Sequence, residues 1–286
     1  MISDITLGQF FPGESILHRL DPRTKILMAI LFIVGVFLAN NPAAFLVLIL
    51  TVVLLVAISK ISFSVIFKGI KPIILILIFT AIINLLMTGG EGDPLLSFWI
   101  IKIYTEGIVR AVFMAIRVVL LIVGTSTLLT YTTSPIALTD GIESLLSPLK
   151  KIHVPVHLFA MMMTIALRFI PTLVEETEKI MNAQKSRGAD FTNGSLVKRA
   201  KALIPILIPL FVSAFKRAEE LATAMECRCY RGDKNRTKLV KLSYKFRDFA
   251  WLFVALAFLA STVLLRILPY RYEFDLLIYN LIFYRI

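Results

Sequence analysis

Long apolar runs separated by short polar breaks occupy most of the first 130 residues. Ile26–Ala39 is almost unbroken hydrocarbon, and Pro42–Ile58 follows directly after Asn40 and Asn41. Pro72–Met87 makes a third run, with Phe67–Ile70 as its lead-in turn. Ala111–Thr130 is a fourth despite Arg117, and Phe249–Leu265 is a fifth. A helix rises about 1.5 Å per residue, so roughly 20 residues cross a hydrocarbon layer of about 30 Å. Each run fits one span or nearly so. Ile26–Ala39 is short, and a start at Thr24 or Lys25, with the lysine amine snorkelling to the interface, lengthens it. A β-barrel would require short alternating segments, whereas these runs are apolar on every side, so helices are expected.

Between the fourth and fifth runs the pattern changes. Ser134-Pro135 followed by Ile136–Leu149 reads as a short amphipathic helix, with Pro135 in the first turn and Pro148, Lys150 and Lys151 closing it. A longer helix runs from Pro155 to about Arg187. Its first half, His157–Ile170, is apolar; its second carries Glu175, Glu176, Glu178, Lys179, Gln184 and Lys185, with Pro171 at the changeover. A second long helix opens near Ser195 and runs to about Arg231. It has an apolar stretch, Leu203–Phe215, and then Lys216, Arg217, Glu219, Glu220 and Glu226. Shifting the first helix by 44 positions aligns Glu175-Glu176 with Glu219-Glu220, Met181 with Met225, and Arg187-Gly188 with Arg231-Gly232. A single Arg-Gly is ordinary helix-stop chemistry, because glycine takes the left-handed position and arginine complements the dipole. Two of them on like helices point to a pair of exposed tips used for docking. An arginine fork there can bond carboxylates or carbonyls in a partner's groove.

Composition and charge then set the class and the orientation. The apolar set makes up 58% of the 286 residues and charged residues only 17%, too little charge to cover a soluble surface of this size. Arg19, Arg23 and Lys25 precede the first run, Lys60, Lys68 and Lys71 separate the second from the third, and Glu91 and Asp93 follow the third. The positive-inside rule therefore places the N-terminus in the cytoplasm, Gly89–Pro94 outside, and the C-terminus outside. Tyr131–Arg247 holds 19 of the 31 Lys and Arg residues against 10 Asp and Glu, so it dominates the net charge of +12 and is expected to be cytoplasmic. Three regions result: residues 1–130 with an amphipathic start and four spans, 131–247 as the cytoplasmic or interfacial insert, and 248–286 with the last span and tail.

Candidate chemistry is sparse. There is no Gly-x-x-x-x-Gly-Lys-Ser/Thr phosphate loop, so no P-loop nucleotide site is expected. His153 and His157 are separated by Pro155 and lack an acidic neighbour in sequence, so no metal site is expected, and no cofactor either. Cys227 and Cys229 read as packing residues. Arg117 alone lies inside an apolar run, too little for an ion relay. Glutamates within the charged helices argue against nucleic acid, whereas Lys234, Arg236, Lys238, Lys241, Lys245 and Arg247 suit anionic lipid.

Leu20-Asp21-Pro22-Arg23-Thr24-Lys25, together with Ser186-Arg187-Gly188-Ala189 and Tyr230-Arg231-Gly232 at the two helix ends, resembles the shared transmembrane component of energy-coupling factor transporters, the EcfT family. The likeness reaches to about Leu268. The family's usual tripeptide is Ala-Arg-Gly, and Ser186 and Tyr230 replace the alanine here. The resemblance implies an all-α polytopic membrane protein with about five transmembrane helices and a cytoplasmic insert of two long coupling helices. It implies a non-catalytic scaffold in the cell membrane, gripped by two cytoplasmic ABC-type ATPases and holding a small membrane protein that captures a vitamin or metal ion. Ser186, Arg187, Gly188, Tyr230, Arg231 and Gly232 would dock the ATPases, and the residues flanking them, Met181, Gln184, Met225 and Cys229, are expected to contribute groove contacts. The alternative, a stand-alone secondary transporter or channel, usually shows inverted repeats or polar breaks at mid-membrane.

Overall fold

The computed structural model describes residues 10–87, 96–98, 101–189, 191, 195–232 and 242–267. They fall into two compact units, one of residues 10–134 with 242–267 and the other of residues 135–232. The architecture is that of an all-α polytopic membrane protein. Five helical stretches among the described residues are long and apolar enough to cross a membrane: Pro42–Ser59, Phe63–Met87, Gly107–Thr130, Val156–Ser186 and Phe246–Ile267. The number matches the expectation, but the membership differs. The first apolar run forms a helix of only 17 residues, about 26 Å long, and its place among the five is taken by Val156–Ser186, the helix that ends at Arg187.

In the first unit, α1 (Pro22–Leu38) starts where chemistry dictates. Asp21 accepts a hydrogen bond from the Arg23 N–H at 3.0 Å, and Pro22 takes the first helical position. α2 (Pro42–Ser59) repeats the proline start and ends at Lys60 in the left-handed region. α3 (Phe63–Ile70) leads through a 3-10 turn, Lys71–Ile73, into α4 (Ile74–Met87). A short antiparallel ribbon, β1 (Leu96–Phe98) and β2 (Ile101–Ile103), pairs Leu96 with Ile103 ahead of α5 (Thr105–Thr125). α5 then opens into a π turn, Ser126–Thr130. The loop Gly89–Pro94 and the residues after Ile267 lie outside the described residues. The closing helix of this unit spans Phe246–Ile267.

Small residues let these helices approach. A Cβ at Gly35 of α1 would lie 2.6 Å from Cε1 of Phe258, and one at Gly124 of α5 would overlap the ring of Phe32. Phe32 and Phe258 stack with centroids 5.9 Å apart. Polar contacts fix the directions. The Asp21 N–H donates to Asp248 Oδ1 at 2.9 Å, so α1 and the closing helix begin together, whereas Asn41 Nδ2 donates to the Leu265 carbonyl at 2.8 Å, so α2 runs opposite.

One charged residue is placed otherwise than the sequence suggested, and another finds a partner inside the protein. Lys25 does not snorkel: it is 2% exposed, and its Nζ donates to the Thr132 carbonyl at 2.8 Å, Thr133 Oγ1 at 3.1 Å and the His18 carbonyl at 3.4 Å. Arg117 closes the far end of α1. Its Nη2 donates to the Ala39 carbonyl at 2.5 Å and to Asn40 Oδ1 at 3.4 Å, and its guanidinium lies over the Phe45 ring at 5.3 Å. A cation at a helix C-terminus meets the dipole's negative end, so Arg117 is an end-cap supplied from another helix.

Candidate functional site

In the second unit, α6 (Pro135–Leu145) is shorter than Ile136–Leu149 because a 3-10 turn, Ser147–Ile152, takes over around Pro148 and ends at His153 in the left-handed region. α7 (Val156–Ser186) and α8 (Leu196–Cys227) follow. At 31 and 32 residues they are each close to 50 Å long. Ser195 starts α8 by accepting from the Lys198 N–H at 3.4 Å. The acidic neighbour of His157 that spacing did not reveal is Glu143, whose Oε1 lies 2.9 Å from His157 Nδ1; both are buried, and the contact ties α6 to α7.

Glu176 joins α7 to α8. Its Oε2 accepts from Arg217 Nη2 at 2.7 Å, and its Oε1 accepts from Ser213 Oγ at 2.5 Å. From this junction each helix continues to a tip, and the two tips are built alike. On α7 the N–H groups of Arg187, Gly188 and Ala189 donate to the carbonyls of Gln184, Lys185 and Gln184 at 3.1, 2.9 and 3.0 Å. On α8 those of Arg228, Cys229 and Tyr230 donate to Met225, Glu226 and Met225 at 3.1, 2.8 and 3.0 Å. The turning residue is left-handed in both: Gly188 at φ +86° and Cys229 at φ +56°. A non-glycine residue in this region costs about 1 kcal/mol or more, and such strain gathers where geometry serves function.

The backbone therefore relates the two ends by a shift of 41 rather than 44. Arg187 matches Arg228, and Gly188 matches Cys229. α8 stops at Cys227, four residues short of Arg231, because Cys229 turns the chain before the second Arg-Gly is reached. Arg231 is exposed just beyond the turn, and Gly232 holds a further positive φ of 77°.

The other candidate residues cluster at the same two ends. Ser186 is the last residue of α7, and its Oγ bonds back to the Asn182 carbonyl at 3.1 Å. Arg187, Gly188, Arg228 and Cys229 are exposed, while Met181, Gln184, Met225 and Tyr230 are half-buried. Cys227 and Cys229 are free and exposed, so the expected packing role gives way to a place on the tip. Sequence reading missed Arg228. The available signal was the small-Arg-small pattern of Ser186-Arg187-Gly188 and Cys227-Arg228-Cys229. On the side of the junction away from each tip, apolar side chains lie open, among them Phe159 and Met162 on α7 and Leu207, Phe211 and Phe215 on α8.

A bundle of membrane-length helices that also carries two like, exposed, arginine-bearing helix ends is the build of a polytopic membrane component. The family described as cobalt transport protein, CbiQ, matches residues 13–239. The energy-coupling factor transporter transmembrane protein EcfT of Clostridium kluyveri is 52% identical over 267 residues, covering 93% of this chain and 98% of that protein. The EcfT of Acidaminococcus fermentans is 54% identical over 266 residues (91% and 98%), and that of Bacillus subtilis 51% over 248 (87% and 93%). The chain belongs to the EcfT family, the transmembrane components of energy-coupling factor transporters.

Proposed function

We propose that this chain is the scaffold and coupling subunit of an ATP-driven importer. It takes two cytoplasmic ABC-type ATPases on its two helix tips and passes their motion to a small membrane protein that captures the substrate. The observation that carries this reading is the repeated tip, because two ends of one construction suit two partners with like grooves. Arg187 and Arg228 supply the forked donors, with Arg231 beside the second. Ser186, Gly188, Tyr230 and Gly232 shape the turns, and Met181, Gln184, Met225 and Cys229 line the contacts.

The tips and the open apolar surfaces lie on the same two helices. A push at Arg187 or Arg228 is therefore carried along a stiff rod to side chains such as Phe159 and Phe211. Nucleotide hydrolysis resides in the partners, and the cargo is a vitamin or a metal ion, the latter in keeping with the cobalt of the family's description. The N-terminus and residues 131–247 face the cytoplasm, residues 1–130 hold the first spans, and 248–286 the last span and tail.

The test is assembly and reconstitution. The chain co-expressed with two P-loop ATPases and a capture protein should purify as one complex with ATP-dependent uptake. Uptake or ATP hydrolysis by the chain alone would overturn the scaffold reading.

A further inference from the structure

The first unit contains an apolar groove unrelated to the helix tips. It lies between α1, α2 and the closing helix Phe246–Ile267, here α9. Met28 and Phe32, Leu54, and Trp251, Val254 and Phe258 line it, and it encloses about 50 Å³ and is open along one side. Its depth is informative. Trp251 lies four residues and Phe258 eleven residues beyond Arg247, so the groove runs from about 6 to about 16 Å past Arg247 in the first turn of α9. One leaflet contributes about 15 Å of hydrocarbon. The groove thus occupies the depth of one leaflet, at the end where α1 and α9 begin and α2 finishes.

That end is cationic. Lys60 at the close of α2 and Lys245 and Arg247 at the opening of α9 are exposed. Arg23 lies over the Tyr244 ring at 5.2 Å. The nearby carboxylates are already engaged. Asp248 accepts from the N–H groups of Asp21 and Lys245 at 2.9 and 2.8 Å, Asp21 caps α1, and Glu14 pairs with Arg19 at 3.3 Å. Lys25 is turned inward to Thr132 and Thr133.

We infer that this groove is a binding site for an anionic glycerophospholipid, with one acyl chain lying between Phe32, Leu54 and Val254 and the phosphate on Lys60, Lys245 and Arg247. Charge complementarity selects this occupant. An apolar trough, in which the hydroxyl of Thr51 is spent on the Val47 carbonyl at 2.8 Å, under a cationic rim at leaflet depth matches a lipid tail joined to an anionic head. Trp251, where rim and trough meet, reports occupancy.

The full-length chain with Trp99→Phe, which leaves Trp251 as its sole tryptophan, is placed in phosphatidylcholine bilayers. They are doped with phosphatidylglycerol or phosphatidylcholine brominated along the acyl chain. Brominated phosphatidylglycerol should quench Trp251 in a saturable way, reversed by unbrominated phosphatidylglycerol. Half-saturation should come at a mole fraction at least five-fold lower than for phosphatidylcholine, roughly the factor one basic side chain supplies near an anionic head. Lys245→Gln with Arg247→Gln changes only exposed side chains and should abolish the difference between the two lipids. Val254→Phe, which fills the trough, should remove the saturable component while the protein keeps its thermal stability. Quenching that rises linearly and equally for both lipids would reduce the groove to ordinary lipid-facing surface and overturn the proposal. Loss of the quenching on assembly of the whole transporter would assign the groove to a protein segment and overturn it as well.

Discussion

Glu176 and Arg217, joined at 2.7 Å, each stand eleven residues before a helix tip: Glu176 before Arg187, and Arg217 before Arg228. The contact between the two helices and the two ends thus share one register, a shift of 41. Each tip projects about 16 Å beyond the ion pair. A junction with two equal arms suits equal action on two like partners.

The arms make the first prediction. Arg187→Glu and Arg228→Glu should each weaken ATPase assembly by about 2–5 kcal/mol if the guanidinium is buried in the partner, much of it the penalty of stranding the acceptor. The double variant should lose assembly altogether, and Arg231→Glu, beyond the turn, should cost less than Arg228→Glu. Co-purification of the ATPases with each variant measures this. If the arginines only cap their helices, each change costs about 0.3–1 kcal/mol of local stability and assembly persists.

The junction can be tested apart from the arms. The Glu176–Arg217 pair is partly open to solvent, so Glu176→Gln should cost no more than about 1 kcal/mol of stability. Its effect on coupling should be larger, because the arms would no longer move together. The expected result is ATPases that still bind and hydrolyse while uptake falls, with partial recovery in the swap Glu176→Arg with Arg217→Glu. Uptake unchanged in Glu176→Gln would remove the pair from the coupling path.

Close approach at glycine gives a prediction about stability alone. Gly124→Val should force the Phe32 ring aside and destabilise the first unit by about 1–3 kcal/mol, as overpacking does. Phe32→Leu in the same chain should restore part of the loss. Thermal unfolding of the purified protein in detergent reads both, and a neutral Gly124→Val would show that the α1–α5 contact yields easily.

Sidedness can be read with residues already present. Cys227 and Cys229 are free and exposed at the second tip, so an impermeant thiol reagent should label them in inverted vesicles and leave them unlabelled in intact cells. Labelling from outside would reverse the proposed orientation.

The amino-acid sequence alone determined the class, the apolar runs and the helix starts. These depend on local chemistry: hydrocarbon over a membrane's length, Asp21 and Pro22 opening α1, Pro42 opening α2, Ser195 opening α8. It also located the two charged helices and the end of the first, since Gly188 is a left-handed turn that residue type announces. Tertiary structure decided what residue type leaves open. Cys229 takes the same left-handed turn without being glycine, which ends α8 at Cys227 and relates the two helix ends by a backbone shift of 41 where residue types alone align at 44. Arg117 finds its acceptor 78 positions away, at Ala39, and Lys25 finds Thr132, 107 positions away, in place of the membrane surface. A cap or an apolar run is set by neighbours in the chain. The partner of a buried cation is set by which helix ends meet, and that depends on packing between distant segments, such as Phe258 against Gly35, Phe32 against Gly124 and Asp21 against Asp248.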